Sequence, residues 1–437
     1  MDAINASTTR FLPRLSGEEL HNRQLEGLKW TLDHAWRGNA FYRDRLREVG
    51  AEPGAIHSLD DLRHLPFTTA DDLKSEYPLP FLSVPEEDVV RIHASSGTTG
   101  KRKILAYTQA DVDVWKDMMA RCYELAGLSR QDRVQIAVGY GLWTAGAGFQ
   151  LGCEHFGATA LPLGPGNLEI QLQFLTDMHS TCLCSTASMA LLLAEEVERL
   201  GLRDRVNLKK IIFGSEPHTH KMLERVRRVF ELEDSFDIPG LTELYGPGTG
   251  LECPAHEGLH YWADYFILEI VDPNTLEPVE PGEVGEMVVT SLCKEAAPLI
   301  RYRTRDLCRQ IPARCSCGLE LPMHDRILGR SDDMFIFRGV NIYPGQIAEV
   351  LETFPEAGSE YQILLERHQG KDVMLLHVER AQGVSSDWDL NLGRAISLAL
   401  RKQLLVTPEV KVEDPGELPR TFGKSKRILD RRNDEIE

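Results

Sequence analysis

The stretch SSGTTGKRK at 95–103 gathers hydroxyls, glycines and cations into one short loop. Gly97 and Gly100 let backbone N–H groups approach an anion closely, Ser95, Ser96, Thr98 and Thr99 add hydroxyl donors, and Lys101, Arg102 and Lys103 add charge. That is the chemistry of a phosphate cradle. It is not a Walker A loop, which needs GxxxxGK[ST], because only two residues separate Gly97 from Gly100 and Arg102 follows Lys101. By itself the loop reads equally well as a Ser/Gly-rich turn.

Two further groups could do chemistry. Cys253 and His260, with Cys315 and Cys317 in a tight CSC, offer the S/N donors of a tetrahedral zinc site, with Cys308 and His256 in reserve. The spacing alone also suits ordinary buried cysteines. Near the C-terminus Arg420, Lys424, Lys426, Arg427, Arg431 and Arg432 cluster, which fits either a solvated basic tail or a source of one catalytic cation.

These groups need a scaffold. A chain of 437 residues has room for two to three domains, and its net charge of −18 argues against nucleic-acid and anionic-membrane surfaces. An apolar h-region and an 18-residue apolar run are both lacking, and nine scattered cysteines do not resemble a secreted disulfide framework, so the expectation is a cytoplasmic protein. Ser16 and Glu19 predict a capping box opening a helix with Leu20, Leu25, Leu28, Leu32 and Trp36 on one side. Strands predicted over 134–140, 158–163 and 210–216 alternate with helices over 109–126 and 186–200, the pattern of an α/β core with ligand loops at strand ends. From 333 onward the pattern is α+β: a helix after Pro344, strands at 361–367 and 372–379 separated by Gly370, a helix at 388–404 and a strand at 408–413.

Taken with RYRTRDL at 301–307, GRSDDMFIFRGVNIYP at 329–344 and PRTFGKSKR at 419–427, in that order, the chain resembles the adenylate-forming superfamily, within it the phenylacetate–CoA ligase branch. The resemblance runs from about residue 20 to the C-terminus. It implies an α/β fold with a large multi-lobed N-terminal adenylation domain, 1–331, and a small mobile α+β C-terminal domain, 332–437. It implies ATP contacts from Ser95, Ser96, Gly97, Thr98, Thr99, Gly100 and Lys101, and from Gly214, Ser215, Glu216 and Pro217. Asp306 is implied to hold the ribose hydroxyls and Arg330 a ribose or phosphate oxygen. Thr242 and Glu243 are implied to position the α-phosphate, with magnesium on Glu243 and Lys424 as the catalytic lysine. An acid pocket follows from Tyr140, Gly141, Leu142, Trp143 and Ala145, with Gly214 and Ser215 beside it, suited to a planar aryl acid. Asp332 falls at the hinge and Gly339 on the coenzyme A path. Parts of the family carry a metal element where Cys253, His260, Cys315 and Cys317 stand, which implies a closed structural zinc.

Trp143 stands where relatives commonly carry a smaller aromatic, and two further positions depart from the family. Arg305 replaces the glycine usual before Asp306, and Pro239 replaces the aromatic usual before Gly240, leaving Tyr245 as a substitute for packing on adenine. The expected activity is ATP-dependent formation of an acyl adenylate from an aromatic acid, then transfer to coenzyme A. The alternatives are an adenylylating synthetase, a ligase that loads a carrier protein, and a catalytically silent nucleotide-binding protein. A homodimer is a further expected partner state.

Overall fold

The structure, a computed structural model, describes residues 9–95, 102–216, 218–338, 340–368, 371–419 and 427–432. The chain forms two compact units, one of Met1–Ser185, Arg205–Ser215 and Glu233–Ile327, the other of Thr186–Asp204, Glu216–Leu232 and Leu328–Glu437.

In the first unit, the helix Gly17–Gly38 opens with the expected box: the Ser16 hydroxyl accepts the Glu19 N–H at 3.2 Å, and the Glu19 carboxylate accepts the Ser16 N–H at 2.8 Å. Leu28 and Leu32 are fully sequestered, while Leu20, Leu25 and Trp36 lie partly buried against the core. The central sheet runs in the order Thr159–Leu161, Arg133–Ile136, Cys182–Thr186, Lys210–Gly214, Asp234–Ile238. Arg133–Ile136 pairs in parallel with both its neighbours, as does Lys210–Gly214 with Asp234–Ile238. Parallel strands need both faces covered, and every residue of Cys182–Thr186 and of 211–214 is buried.

The strand expected over 134–140 stops at Ile136. The Gly139 carbonyl turns instead to accept the Gly146 N–H at 2.8 Å, and Gly141 takes a φ of +81°, so the chain leaves the sheet and enters the helix Thr144–Phe156. That helix approaches Gln109–Leu125 closely because it lacks side chains at the contact. A Cβ on Gly152 would lie 2.2 Å from the Met119 Cβ, and one on Gly148 2.8 Å from the Trp115 ring. Each glycine costs the helix about 1 kcal/mol against alanine, a cost offset by packing that a methyl group would forbid.

A meander of Phe266–Val271, Gly285–Ser291 and Tyr302–Cys308 follows, with a bulge between Glu286 and Val288 opposite 303–307. In the second unit a sheet ordered Glu409–Glu413, Lys371–Arg380, Ala357–His368, Ile428–Asp430 joins the helices Pro344–Glu352 and Asp389–Leu404. The α+β expectation for this region matches these elements to within a few residues. Ile363, Leu365, Leu376, Val378, Ile396 and Leu400 form the heart of its core.

Candidate active site

The sharpest feature is a buried carboxylate with three kinds of support. Gly240–Leu241 pairs with Gly246–Pro247 in a small hairpin, and between them Thr242–Leu244 makes one 3₁₀ turn. Only glycine fits position 240, since a Cβ there would stand 2.3 Å from the Gly246 carbonyl oxygen. Tyr245 closes the turn at φ +83°. Glu243, 5% exposed, takes an ion pair from Lys103 and a hydrogen bond from the Tyr302 hydroxyl at 3.0 Å. Burial opposes its charge, but Lys103 and Tyr302 outweigh burial and hold the carboxyl below its ordinary pKa. The Tyr107 hydroxyl donates to the Thr242 carbonyl at 3.2 Å. The sequence reading assigned Thr242 and Glu243 but none of these three supports. Lys103 was visible as the last cation of the loop at 95–103, and Tyr302 as the aromatic of RYRT.

Asp306 lines an apolar cleft together with Pro239, Gly240, Leu241, His324 and Ile327, so the strand carrying the expected ribose carboxylate and the loop carrying the expected phosphate contacts face one space. Arg305 adopts φ +70°, the left-handed region that glycine occupies without strain. The substitution therefore keeps the glycine-type turn at the bulge rather than abolishing it. Tyr245 does not reach this cleft: it is fully buried, 6.0 Å by ring centroid from Tyr107, with its hydroxyl toward Asp111. It cannot replace the aromatic absent at 239, and that expectation is corrected.

In the acid-pocket segment, Tyr140 is half-buried with its ring against Gly146, Trp143 packs on Gly139 and Ala145 is buried. Leu142 is 50% exposed, and it is its carbonyl that is anchored, by the Ala94 N–H at 2.8 Å and the His93 Nδ1 at 3.1 Å. Gly141 is exposed. Gly214 ends its strand where a Cβ would meet the Ile238 carbonyl oxygen at 2.4 Å, and Ser215 follows, exposed, at φ +73°. Glu216 spends a carboxylate oxygen on the Ser188 N–H at 2.6 Å, capping the helix Ala187–Arg199. Arg330 is clasped by Asp332 in a two-point fork, Nε to Oδ1 at 2.8 Å and Nη2 to Oδ2 at 2.9 Å. Ser95 is partly buried. Ser96, Gly97, Thr98, Thr99, Gly100, Lys101, Pro217, Gly339 and Lys424 lie outside the described residues.

The four metal candidates do converge. One donor atom each from Cys253, His260, Cys315 and Cys317 falls within 4.8 Å of every other. The Cys253 and Cys315 sulfurs are 3.4 Å apart, and the Cys317 sulfur is 3.3 Å from His260 Nε2. A tetrahedral zinc with Zn–S near 2.3 Å needs donor separations of about 3.5–3.8 Å, so the set fits with little adjustment. His260 Nδ1 meets the Leu321 carbonyl at 2.9 Å, which directs the proton to that nitrogen and leaves Nε2 as a ligand. His256 is engaged otherwise, between Asp234 at 2.9 Å and Glu252 at 3.1 Å.

Residues 42–293 match the family model of the AMP-binding enzymes, and residues 339–432 match the AMP-binding enzyme C-terminal domain. The chain belongs to the AMP-binding enzyme family. It is similar to the phenylacetate–coenzyme A ligase of Pseudomonas putida, with 39% identity over 95% of both chains, and to that of Escherichia coli K12, with 38% identity over 96% of both. Among solved structures, a 2-hydroxyisobutyryl-CoA ligase in its postadenylation state, in complex with R3-HIB-AMP, matches with a TM-score of 0.88 at 25% identity, covering 99% of this chain and 95% of that one. The fold is thus the adenylate-forming one of the AMP-binding enzymes, with a large N-terminal and a small C-terminal domain. Among the described residues, no helix is long and apolar enough to cross a membrane.

Proposed function

We propose that this AMP-binding enzyme is an acid–CoA ligase of the phenylacetate type, forming an acyl adenylate and then a thioester. The observation that carries the reading is end-to-end similarity to phenylacetate–coenzyme A ligases combined with an ionised, buried Glu243 beside the Asp306 cleft. In the first step a carboxylate oxygen of the acid attacks the α-phosphorus of ATP, the α–β anhydride bond breaks, and pyrophosphate leaves. In the second the coenzyme A thiol loses its proton and attacks the acyl carbon, and the bond to AMP breaks.

Each residue follows from this chemistry. Lys424 is assigned to offset the repulsion between two approaching anions, and Asp306 to accept from the ribose hydroxyls. Thr242 and Glu243 are assigned to the α-phosphate. A magnesium ion bound there would neutralise phosphate charge, and Glu243 is an oxygen ligand of the right type. Lys103 holds that carboxylate ionised. Cys253, His260, Cys315 and Cys317 are assigned to a structural zinc, which would tie the strand Leu259–Tyr261 to the CSC segment. Asp332 is assigned as the hinge at the 331/332 division and Gly339 to the coenzyme A path.

The test is pyrophosphate release over a panel of aryl acids, with and without coenzyme A. Phenylacetate-dependent release followed by a CoA thioester supports the reading. Release without thioester would move it to an adenylylating synthetase or a carrier-protein ligase, and no release with any acid would favour a silent nucleotide-binding protein. Elemental analysis should give about one zinc per chain, as a closed four-ligand site retains its metal; metal-free, fully stable protein would remove the zinc assignment. Sedimentation decides the homodimer.

A further inference from the structure

Lys294 is the one fully buried lysine among the described residues, and none of the steps above uses it. Its ammonium has no hydrogen-bond acceptor among the described residues. It stands instead over two aromatic faces, 3.9 Å from the ring centroid of Tyr107 and 4.3 Å from that of Tyr245. A desolvated cation without acceptors is costly to keep, and ring faces with negative quadrupoles are what compensate it. Both rings lead to the same place. The Tyr107 hydroxyl holds the Thr242 carbonyl, and Tyr245 is the left-handed residue that ends the turn carrying Thr242 and Glu243. The segment bearing Lys294 is itself fixed, because Asp111 accepts the N–H groups of Glu295 and Ala296 at 2.7 and 2.9 Å.

We propose that Lys294 is a positioning residue, clamping Tyr107 and Tyr245 so that the Thr242–Leu244 turn presents its side chains in one fixed arrangement. The proposal rests on the ligase reading through the roles given to Thr242 and Glu243. The geometry requires that the lysine be protonated, and burial brings its pKa down to about 8, against attraction from Asp111 and Cys293. The other groups facing it are His93, Cys293, Tyr107, Tyr245 and Asp111. Of these, burial lowers His93, raises Cys293 to about 12 and raises both tyrosines well above their ordinary value. From pH 8 upward, loss of the Lys294 proton is therefore the change that unclamps the turn.

The sign separates this from a structural role. The folded-state pKa lies below the unfolded value of about 10.4, so the unfolded chain binds more protons between the two and stability rises with pH across that window. Adenylation should fall over the same window. The experiment compares wild type with Lys294→Met, which keeps the stem and removes the charge. Single-turnover adenylate formation, acid and ATP KM values, and urea stability are followed from pH 7 to 10. The expected result is a Lys294→Met protein as stable as wild type or more so at pH 7, with kcat for adenylation down roughly tenfold or more, KM values little changed, and no decline above about pH 8. Wild-type kcat with the same alkaline limb in the variant would overturn the proposal, as would reduced stability with kcat intact. Should the variant not fold, the wild-type profile decides: adenylation that stays flat from pH 7 to 9.5 overturns the clamp. An inactive wild type would instead sink the ligase reading, so the two failures are told apart.

Discussion

Two of the protein's cation–carboxylate pairs, Lys103 with Glu243 and Arg330 with Asp332, differ in almost everything but chemistry. Lys103 with Glu243 is enclosed, with side chains 22% and 6% exposed, and Tyr302 adds a third contact. Arg330 with Asp332 is open, at 37% and 53%, though its fork is geometrically the better. Burial makes the first pair stiff and expensive to break, because Glu243 alone would be a charge largely without water. Exposure makes the second cheap to form and to release. A carboxylate assigned to phosphate oxygens in one place benefits from the first environment. A segment assigned to a hinge benefits from the second, where an arginine is let go at little cost.

Breaking the buried pair one side at a time should give the largest effect. Lys103→Met is expected to destabilise by about 3 kcal/mol in urea unfolding, since it strands the Glu243 charge. The double variant Lys103→Met with Glu243→Gln should recover most of that loss. Additive losses would show that the two do not act as a pair. Tyr302→Phe tests the third contact and should cost about 1.5 kcal/mol, the worth of a hydrogen bond to an ion, with adenylation slowed in the same variant. Unchanged stability and rate would mean that Lys103 alone orders the carboxylate.

The open pair should respond differently. Asp332→Asn is expected to change stability by less than about 1 kcal/mol, and 0.5 M salt should abolish even that difference, since screening acts fully on exposed charges. Its effect belongs in kinetics. Freed from the fork, Arg330 should alter the ratio of thioester formation to adenylate formation, read in separate single-turnover assays. Equal rates of both half-reactions in variant and wild type would remove the hinge role from this residue.

Much of this was legible in the chain. Ser16 with Glu19 marked a helix start, and the repeated β and α segments marked the parallel sheet, because both signals are local. The four metal candidates were legible as donor types, and their convergence needed only the pairing of Leu259–Tyr261 with Met323–His324 to bring 253–260 beside 315–317. What was not legible came from long-range contacts. Lys103 and Tyr302 stand in motifs, but nothing local ties either to Glu243, which lies 140 and 59 positions away in sequence. Tyr245 looked free to pack on adenine, and only its burial beneath Lys294 rules that out. Arg305 stood to alter the local turn, yet it takes a positive φ of the kind glycine adopts without strain, which no side-chain type announces.

The central claim is that the acid is activated by attack of its own carboxylate on the α-phosphorus. Phenylacetate labelled with ¹⁸O in both carboxyl oxygens, incubated with ATP, magnesium and coenzyme A, tests it in one mass spectrum. The account predicts AMP carrying one ¹⁸O, unlabelled pyrophosphate, and a thioester retaining the other label. Labelled inorganic phosphate with ADP as co-product, or AMP without label, would contradict it.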